Sequence, residues 1–323
     1  MRAGIVGFGK LARDYYTPAL RRIRNVCVAA VADPLAESRK SAGRSFPRAA
    51  LYSSSQEMLE QDLDALLVAS PPSTHWSIFE QATARGLPVF MEKPFPMRAG
   101  LRAAEAFAGP AARVMLDFNR RFWPSYHRLA ALARSGAIGR LERLELVLHV
   151  DVRRWCEVTP HRMLETEGGA LEDLGTQMVD LAFLLLDQQP VKARADASVL
   201  RAKLHMETAG GIAVECDLAY GNANRERVVL HGSAGRLVLE NPNCSIHQDA
   251  GSGGPRLSGL VRDALVFLGR ALVRDRSMLR YTIHASLAAF FEAARSGGPF
   301  HPGLEDGIRV ARVLDLALRR APS

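Results

Sequence analysis

The stretch Ile5-Val6-Gly7-Phe8-Gly9-Lys10-Leu11-Ala12 decides the fold of the first part of this chain. Two apolar residues end a short strand-like run, and a G-x-G-x-x-A pattern leads from them into a helical pattern. In such a turn the first glycine permits the tight bend, the second lets the backbone reach a pyrophosphate, and the alanine keeps the helix close to the sheet. We therefore predict a dinucleotide-binding turn formed by Gly7, Phe8, Gly9, Lys10 and Leu11.

The next strand-like run ends at Asp33, roughly 20 residues beyond the glycines, where a carboxylate can accept hydrogen bonds from both hydroxyls of an adenosine ribose. Asp33 would repel a 2'-phosphate, so the sequence predicts NAD as the cofactor. NADP stays possible because Arg39 and Lys40 lie close enough in sequence to compensate. An alternative also stays open, in which the glycine turn serves packing only and Asp33 caps a helix before Pro34.

Strand-like runs alternate with helical patterns through the first third of the chain, which predicts a doubly wound parallel sheet with helices on both faces. The runs are Gly4–Val6, Val26–Ala32, Ala65–Ala69, Pro88–Met91 and Arg113–Leu116. Together with the glycine turn, this alternation predicts a Rossmann domain at residues 1–118.

After Asp117 the strand patterns follow one another with few helices, which predicts an open, mostly antiparallel sheet. They are Leu141–Val150, the region around Ala195–Met206, Ile212–Tyr220, Arg227–Leu230 and Arg236–Leu239. Helical patterns that would cover one face of this sheet are Ser125–Ser135, Leu171–Leu186, Leu257–Val273, Leu279–Arg295 and Leu304–Arg319. The predicted fold class is α/β, with a C-terminal α+β domain at residues 119–323.

Composition narrows the class of protein. The chain has 323 residues, 48% hydrophobic and 24% charged, which is enough for two domains with large cores. No apolar run approaches the roughly 18 residues needed to cross a bilayer, so we predict a cytoplasmic protein without membrane contact. The net charge of +8 comes from basic residues scattered through every predicted helix, which argues against nucleic acid as a partner. The four cysteines and the histidines lack metal-ligand spacing, so no metal site is predicted.

Two further motifs follow strand-like runs, Ala69-Ser70-Pro71-Pro72-Ser73-Thr74-His75 and Glu92-Lys93-Pro94. Both lie at carboxyl ends of predicted parallel strands, where open sheets bind ligands. With the glycine turn they resemble the Gfo/Idh/MocA family of NAD(P)-dependent oxidoreductases, and the resemblance extends to Glu305-Asp306-Gly307. It implies an enzyme acting on CH–OH groups of a sugar, nucleotide-sugar or cyclitol, with nicotinamide between the two domains. It also implies a second domain that binds substrate and forms homodimers or homotetramers through its sheet.

The resemblance implies roles for individual residues. Those that would line the cofactor are Ser70, Pro71, Pro72 and His75, with Glu92 near the nicotinamide ribose and Lys93 touching both ribose and substrate. Those that would reach substrate are Asn119, Arg120 and Arg121, where the chain passes into the second domain. Trp155 and His161, before the next helical pattern, could stack on or hydrogen-bond a sugar ring, and a structural role stays open for each.

Lys93 is also predicted to carry chemistry on general grounds. Moving a hydride from a carbinol carbon requires the hydroxyl proton to leave as well, so a base must lie within hydrogen-bond reach. Burial and a nearby oxidised nicotinamide would both lower the pKa of a lysine from its usual value of about 10.4. Lys93 is therefore the predicted proton-transfer residue, and a plain surface lysine is the alternative.

The segment Gly168–Asp180 resembles the second-domain helix of the family, whose pattern is D-x-G-x-H-x-x-D, but has Gln177 in place of the histidine. The spacing of Asp173, Gln177 and Asp180 predicts one helix face towards the cofactor cleft. We predict Asp173 and Gln177 as catalytic and substrate-binding residues beside Lys93. Glutamine can orient a hydroxyl but cannot exchange a proton near neutral pH.

Three explanations of Gln177 stay open. Lys93 alone carries the proton, Asp173 or a bound water replaces the histidine, or the chain has lost redox chemistry and is a dinucleotide-binding regulatory protein. Redox-assisted glycoside cleavage is a further activity that the resemblance implies. Because Glu92-Lys93-Pro94 is intact, the sequence favours an enzyme.

Overall fold

The computed structural model describes residues 1–109, 112–151, 164–240, 245–250 and 278–319. Packing divides the chain into two compact units, Met1–Phe122 with Leu279–Ala311 and Trp123–Met278 with Arg312–Ser323. The predicted domain boundary between residues 118 and 119 rests on chain order alone and stays a prediction. No helix among the described residues is long and apolar enough to cross a membrane.

The first unit contains a parallel sheet of six strands in the order β3-β2-β1-β4-β5-β6. The strands are β1 Arg2–Val6, β2 Cys27–Ala32, β3 Ala50–Tyr52, β4 Ala65–Val68, β5 Val89–Met91 and β6 Val114–Leu116. Every residue of β4 and β5, and of the edge strand β6, is buried, as expected for parallel strands covered on both faces. The predicted Rossmann fold is confirmed.

The helices of the first unit follow the strands in alternation. They are α1 Thr17–Leu20, preceded by a π-helical turn at Ala12–Tyr16, α2 Ala36–Ser45, α3 Ser55–Leu59, α4 His75–Ala84 and α5 Leu101–Phe107. Short 3-10 turns lie at Pro72–Thr74, Arg98–Gly100 and Asn119–Phe122. This order places the chain after β1, β4, β5 and β6 at one edge of the sheet, where carboxyl ends of parallel strands meet.

The second unit contains a seven-stranded sheet in the order β13-β12-β11-β7-β10-β9-β8. Its strands are β7 Leu141–Asp151, β8 Pro190–Ala197, β9 Arg201–Thr208, β10 Ala213–Gly221, β11 Arg225–Gly232, β12 Gly235–Glu240 and β13 Ser245–Ala250. β7 and β10 pair in parallel, and the other neighbours pair antiparallel. Residues alternate between buried and exposed along β9 and β10, so the mostly antiparallel sheet is confirmed.

The remaining helices are α6 Pro124–Arg134, α7 Thr176–Leu186, α8 Met278–Ser296 and α9 Leu304–Leu318, with a 3-10 turn at Glu165–Glu167 and a π-helical turn at Leu171–Gly175. The prediction that α8 covers the antiparallel sheet is wrong. α8 packs in the first unit, where Phe290 lies 5.5 Å from Phe90 between ring centroids. Its amphipathic pattern shows that one face is buried, but not against which sheet.

Two strand predictions also need correction. The single run predicted around Ala195–Met206 is two strands, β8 and β9, which turn at residues 198–200. β3 and β13 were not predicted, because β3 is a three-residue edge strand with only partial burial and β13 follows the last apolar run. The helix predicted at Leu257–Val273 lies outside the described residues.

Candidate active site

The turn after β1 has room for a pyrophosphate. Gly7 has φ +84°, and a Cβ there would lie 2.7 Å from Ser70 N and 2.8 Å from Ala69 O, so only glycine fits. At Gly9 an added Cβ would meet no atom within 4 Å, which leaves open space above an exposed backbone. The Phe8 side chain points the other way, buried edge-on against Phe46. The turn therefore fits a dinucleotide whose phosphates approach the backbone at Gly9.

Asp33 holds this turn in place. The side chain is only 7% exposed, and its Oδ2 accepts a hydrogen bond of 2.7 Å from Phe8 N while Oδ1 accepts one of 2.8 Å from Leu35 N. Each carboxylate oxygen has a second lone pair for a ribose hydroxyl. Asp33 is not the cap of α2, which begins after Leu35. Arg39 Nη1 donates to the carbonyl oxygens of Asp33 and Pro34, at 2.8 Å each.

The loop after β4 is tied to the segment after β5 by His75. Its ring is 1% exposed, with Nε2 2.9 Å from Ser70 O and Nδ1 3.2 Å from Pro94 O. Ser70 and Thr74 are joined through their hydroxyls at 2.7 Å. Both ring nitrogens therefore face backbone carbonyls, and cofactor contact by His75 or by Ser70, Pro71 and Pro72 stays a prediction.

Glu92 and Lys93 follow β5 directly. The Lys93–Pro94 peptide bond is cis. Lys93 is partly exposed, whereas Glu92 is buried and accepts a hydrogen bond of 2.7 Å from Tyr16 Oη. Tyr16 belongs to the π-helical turn that follows the glycines. The π-helical turn after the glycines and the segment that contains Lys93 are thus joined through a buried hydrogen bond.

A second carboxyl group lies beside Glu92. Asp117 directly follows β6 as Glu92 follows β5, where Met91 pairs with Leu116, and Asp117 is 1% exposed. Burial raises the pKa of Glu92 well above its usual value, and the neighbouring charge of Asp117 raises it further while Lys93 opposes the rise. Burial likewise raises the pKa of Asp117. Tyr16 also has a pKa well above its usual value, first because of burial and then because of both carboxyl groups.

Sequence reasoning missed Tyr16 and Asp117, together with Ser286 of α8, whose Oγ donates to Asp117 Oδ1 at 2.9 Å. The available signal was that Asp117, like Glu92, immediately follows a strand-like run. Because β5 and β6 are parallel neighbours, residues just after them meet at the same edge. Nothing in the sequence indicated the tyrosine or the serine.

Arg121 lies in a buried ion pair. Its Nη2 donates to Asp306 Oδ1 at 2.9 Å, and the two side chains are 12% and 10% exposed. Asp306 also accepts from Gly303 N and lies 3.3 Å from His301 Nδ1. Burial alone would raise the pKa of Asp306, but the hydrogen bond from His301 and the charge of Arg121 outweigh it and hold that pKa well below its usual value. Substrate contacts by Asn119, Arg120 and Arg121 stay predictions.

In the second unit the helix predicted from Leu171 is not regular. A π-helical turn at Leu171–Gly175 precedes α7, and it widens the spacing on which the prediction of one helix face depended. Asp173 is buried and accepts a hydrogen bond from Tyr220 Oη, a partner that sequence reasoning missed. Gln177 is partly exposed, and its Nε2 lies 3.4 Å from Asp173 O. Asp180 is buried.

Two predicted substrate residues, Trp155 and His161, lie outside the described residues. Among the residues that the structure describes, no group of three or more His, Cys, Asp or Glu side chains is placed to hold a metal ion. The described cysteines, Cys27 and Cys216, are free thiols.

Comparisons with known proteins agree with this geometry. Residues 1–118 match the family described as "Oxidoreductase family, NAD-binding Rossmann fold", and residues 126–238 match "GFO/IDH/MocA C-terminal domain". The inositol 2-dehydrogenase of Acidothermus cellulolyticus is 30% identical over 267 residues, which cover 78% of this chain and 76% of that protein. The rhizopine catabolism protein MocA of Rhizobium meliloti is 27% identical, with 98% of this chain and 93% of that protein covered.

Solved structures show the same fold. A myo-inositol dehydrogenase from Corynebacterium glutamicum has a TM-score of 0.75 and 22% identity, covering 98% of this chain and 95% of that one. An oxidoreductase from Agrobacterium radiobacter in complex with NAD+, L-tartaric acid and magnesium has a TM-score of 0.78 and 17% identity, covering 99% and 97%. The chain therefore belongs to the Gfo/Idh/MocA family of NAD-binding oxidoreductases.

Proposed function

We propose that this chain is an NAD(P)-dependent dehydrogenase of a cyclitol, sugar or nucleotide-sugar, with Lys93 as its proton-transfer residue. The observation that carries the proposal is the position of Lys93. It lies partly exposed at the carboxyl end of β5, in the same unit as the Gly7–Gly9 turn, and directly follows a buried carboxyl group. Cyclitols are the first substrates to test, since relatives that match over 76% or more of their length bear the name inositol 2-dehydrogenase.

Each residue has a defined task in this proposal. The pyrophosphate binds against the backbone at Gly9, and the Asp33 carboxylate accepts hydrogen bonds from the ribose hydroxyls. The nicotinamide, when bound, supplies the acceptor or donor of the hydride. Lys93 Nζ takes the proton of the substrate hydroxyl during oxidation and returns one during reduction. Asp173 and Gln177 orient the substrate, and Gln177 does so through hydrogen bonds alone.

A panel of cyclitols, sugars and nucleotide-sugars with NAD or NADP tests the activity. Lys93→Met is expected to lower turnover by about 100-fold or more, the usual scale of proton-transfer catalysis, with dinucleotide affinity within several-fold of wild type. Lys192→Met, at a 71% exposed lysine of β8, is the matched control and is expected to keep full turnover. Turnover by Lys93→Met equal to that of wild type would show that Lys93 is not the base.

A second candidate function rests on Gln177, the residue that departs from the family pattern. A dinucleotide-binding regulatory protein needs the glycine turn and Asp33 but no titrating group on the second-unit helix. Binding of NAD without turnover of any member of the panel, by wild type and by Gln177→His alike, would favour this candidate. Assembly into dimers or tetramers stays a prediction, which sedimentation would test.

A further inference from the structure

Two buried carboxyl groups follow the neighbouring strands β5 and β6, next to Lys93, and neither has a task in the reaction proposed above. Met91 of β5 pairs with Leu116 of β6, and the next residue on each strand is Glu92 and Asp117. Both side chains are buried, and the charge of Asp117 raises the pKa of Glu92. Two buried carboxylates at neighbouring strand ends repel each other, which favours one proton held between them.

The donors around the pair show which group is ionised. Asp117 Oδ1 accepts from Ser286 Oγ at 2.9 Å, and Asp117 Oδ2 accepts from Asn119 Nδ2 at 3.4 Å. Glu92 accepts from Tyr16 Oη. Donors stabilise a carboxylate more than a carboxylic acid, so two donors on Asp117 against one on Glu92 favour the negative charge on Asp117 and the proton on Glu92. The raised pKa of Glu92 agrees with this assignment.

We propose that Asp117 is a positioning residue for proton transfer: ionised beside a protonated Glu92, it sets how readily Lys93 gives up its proton. This inference rests on the role proposed for Lys93. The charge of Lys93 acts on both carboxyl groups, and a nearby anion favours the ammonium form of a lysine. The titratable groups that act on the pair, among the described residues, are Tyr16 and Lys93.

Labelling of the folded protein with acetic anhydride measures this effect without any turnover. The reagent attacks unprotonated amines, and mass spectrometry of the peptide that contains Lys93 gives the fraction labelled at each pH. Asp117→Asn is expected to move the labelling midpoint of Lys93 down by about one pH unit or more. Glu92→Gln imitates the protonated carboxyl group and is expected to leave that midpoint nearly unchanged.

Two further variants complete the design. Ser286→Ala removes one donor from Asp117, which moves part of the shared proton from Glu92 to Asp117, and a smaller downward shift of the Lys93 midpoint is expected. Asp64→Asn makes the same chemical change at the amino end of β4, where Asp64 accepts from Arg2 N, and no shift is expected. Infrared spectra at neutral pH should show the band of one protonated carboxyl group in wild type and its loss in Glu92→Gln.

Substitution of the two carboxyl groups should have different effects on Lys93, because the charge lies on Asp117 and the proton on Glu92. An unchanged Lys93 midpoint in folded Asp117→Asn overturns it, and so does a shift in Glu92→Gln as large as that in Asp117→Asn. Should Asp117→Asn not fold, Ser286→Ala decides, and absence of any shift there overturns the inference. If the midpoint shifts while Lys93→Met keeps full turnover, the electrostatic link stands and the catalytic role proposed for Lys93 fails. If both hold, the acid limb of the pH–rate profile should move with the labelling midpoint.

Discussion

Replacing Gly7 and Gly9 by alanine, one at a time, separates folding from cofactor binding in the turn after β1. At Gly7 the φ of +84° costs an alanine about 1–2 kcal/mol. The new Cβ would also lie 2.7 Å from Ser70 N and 2.8 Å from Ala69 O. Both are backbone atoms that cannot rotate away, and such overpacking costs about 1–3 kcal/mol. Gly7→Ala should therefore destabilise the first unit by about 2–5 kcal/mol.

Gly9 should behave in the opposite way. It is exposed, and an added Cβ would meet nothing within 4 Å, so Gly9→Ala should leave the unfolding free energy equal to wild type or raise it by up to about 1 kcal/mol. The methyl group would nevertheless occupy the space proposed for the pyrophosphate. We expect NAD affinity to fall by about tenfold or more, which corresponds to about 1.4 kcal/mol.

Urea unfolding followed by circular dichroism, and calorimetric titration with NAD, measure the two effects. Gly86→Ala is the control, because Gly86 has φ +68° with nothing within 4 Å of an added Cβ. It isolates the conformational cost of about 1–2 kcal/mol from the steric one. A Gly7→Ala protein no less stable than Gly86→Ala would refute the steric argument. Wild-type NAD affinity in Gly9→Ala would show that no phosphate approaches that backbone.

Three other predictions concern Asp33, Gln177 and Asp306. NAD should bind more tightly than NADP in calorimetric titrations, because a 2'-phosphate would face the buried Asp33 carboxylate; tighter NADP binding would contradict this. Gln177→Ala should weaken substrate binding by about 0.5–1.5 kcal/mol and Gln177→His should alter the pH–rate profile, whereas lost turnover with intact affinity would exclude simple orientation. Asp306→Asn should lower the free energy of unfolding at neutral pH. The pKa of Asp306 is depressed in the folded protein, so the stability that its carboxylate contributes is fully present above the usual pKa of 3.8 and is lost as the pH falls below that value. An equal loss at pH 7 and at about pH 2 would contradict that linkage.

The sequence predicted the first sheet well because its central strands are short, apolar and buried on both faces. β4 and β5 stand out from the helices around them for that reason. β8 and β9 merged into one predicted run because the turn between them, Ser198-Val199-Leu200, contains neither glycine nor proline. The packing of α8 was mispredicted because an amphipathic pattern shows that one face of a helix is buried but does not show which sheet that face packs against.

The candidate site was predicted in outline for a related reason. Motifs that directly follow parallel strands must meet at one edge of the sheet, so Gly7, His75 and Lys93 could be grouped from chain order alone. The contacts of Tyr16 and Ser286 depend on how two helices pack against that edge. Those contacts depend on tertiary structure and cannot be predicted from a local sequence pattern.

The π-helical turns are a further reason why residue spacing did not predict which side chains share a helix face. One lies at Ala12–Tyr16, directly after the predicted cofactor residues Lys10 and Leu11, and one at Leu171–Gly175, directly before the helix that carries Gln177. Such turns occur frequently at functional sites. In each turn a buried polar side chain contacts another element of its own unit, as Tyr16 does with Glu92 and Asp173 with Tyr220. A regular helix would rotate these side chains to other directions. Because Gln177 Nε2 lies 3.4 Å from the carbonyl oxygen of Asp173, its side chain lies over the widened turn, and its role in orienting substrate stays a prediction.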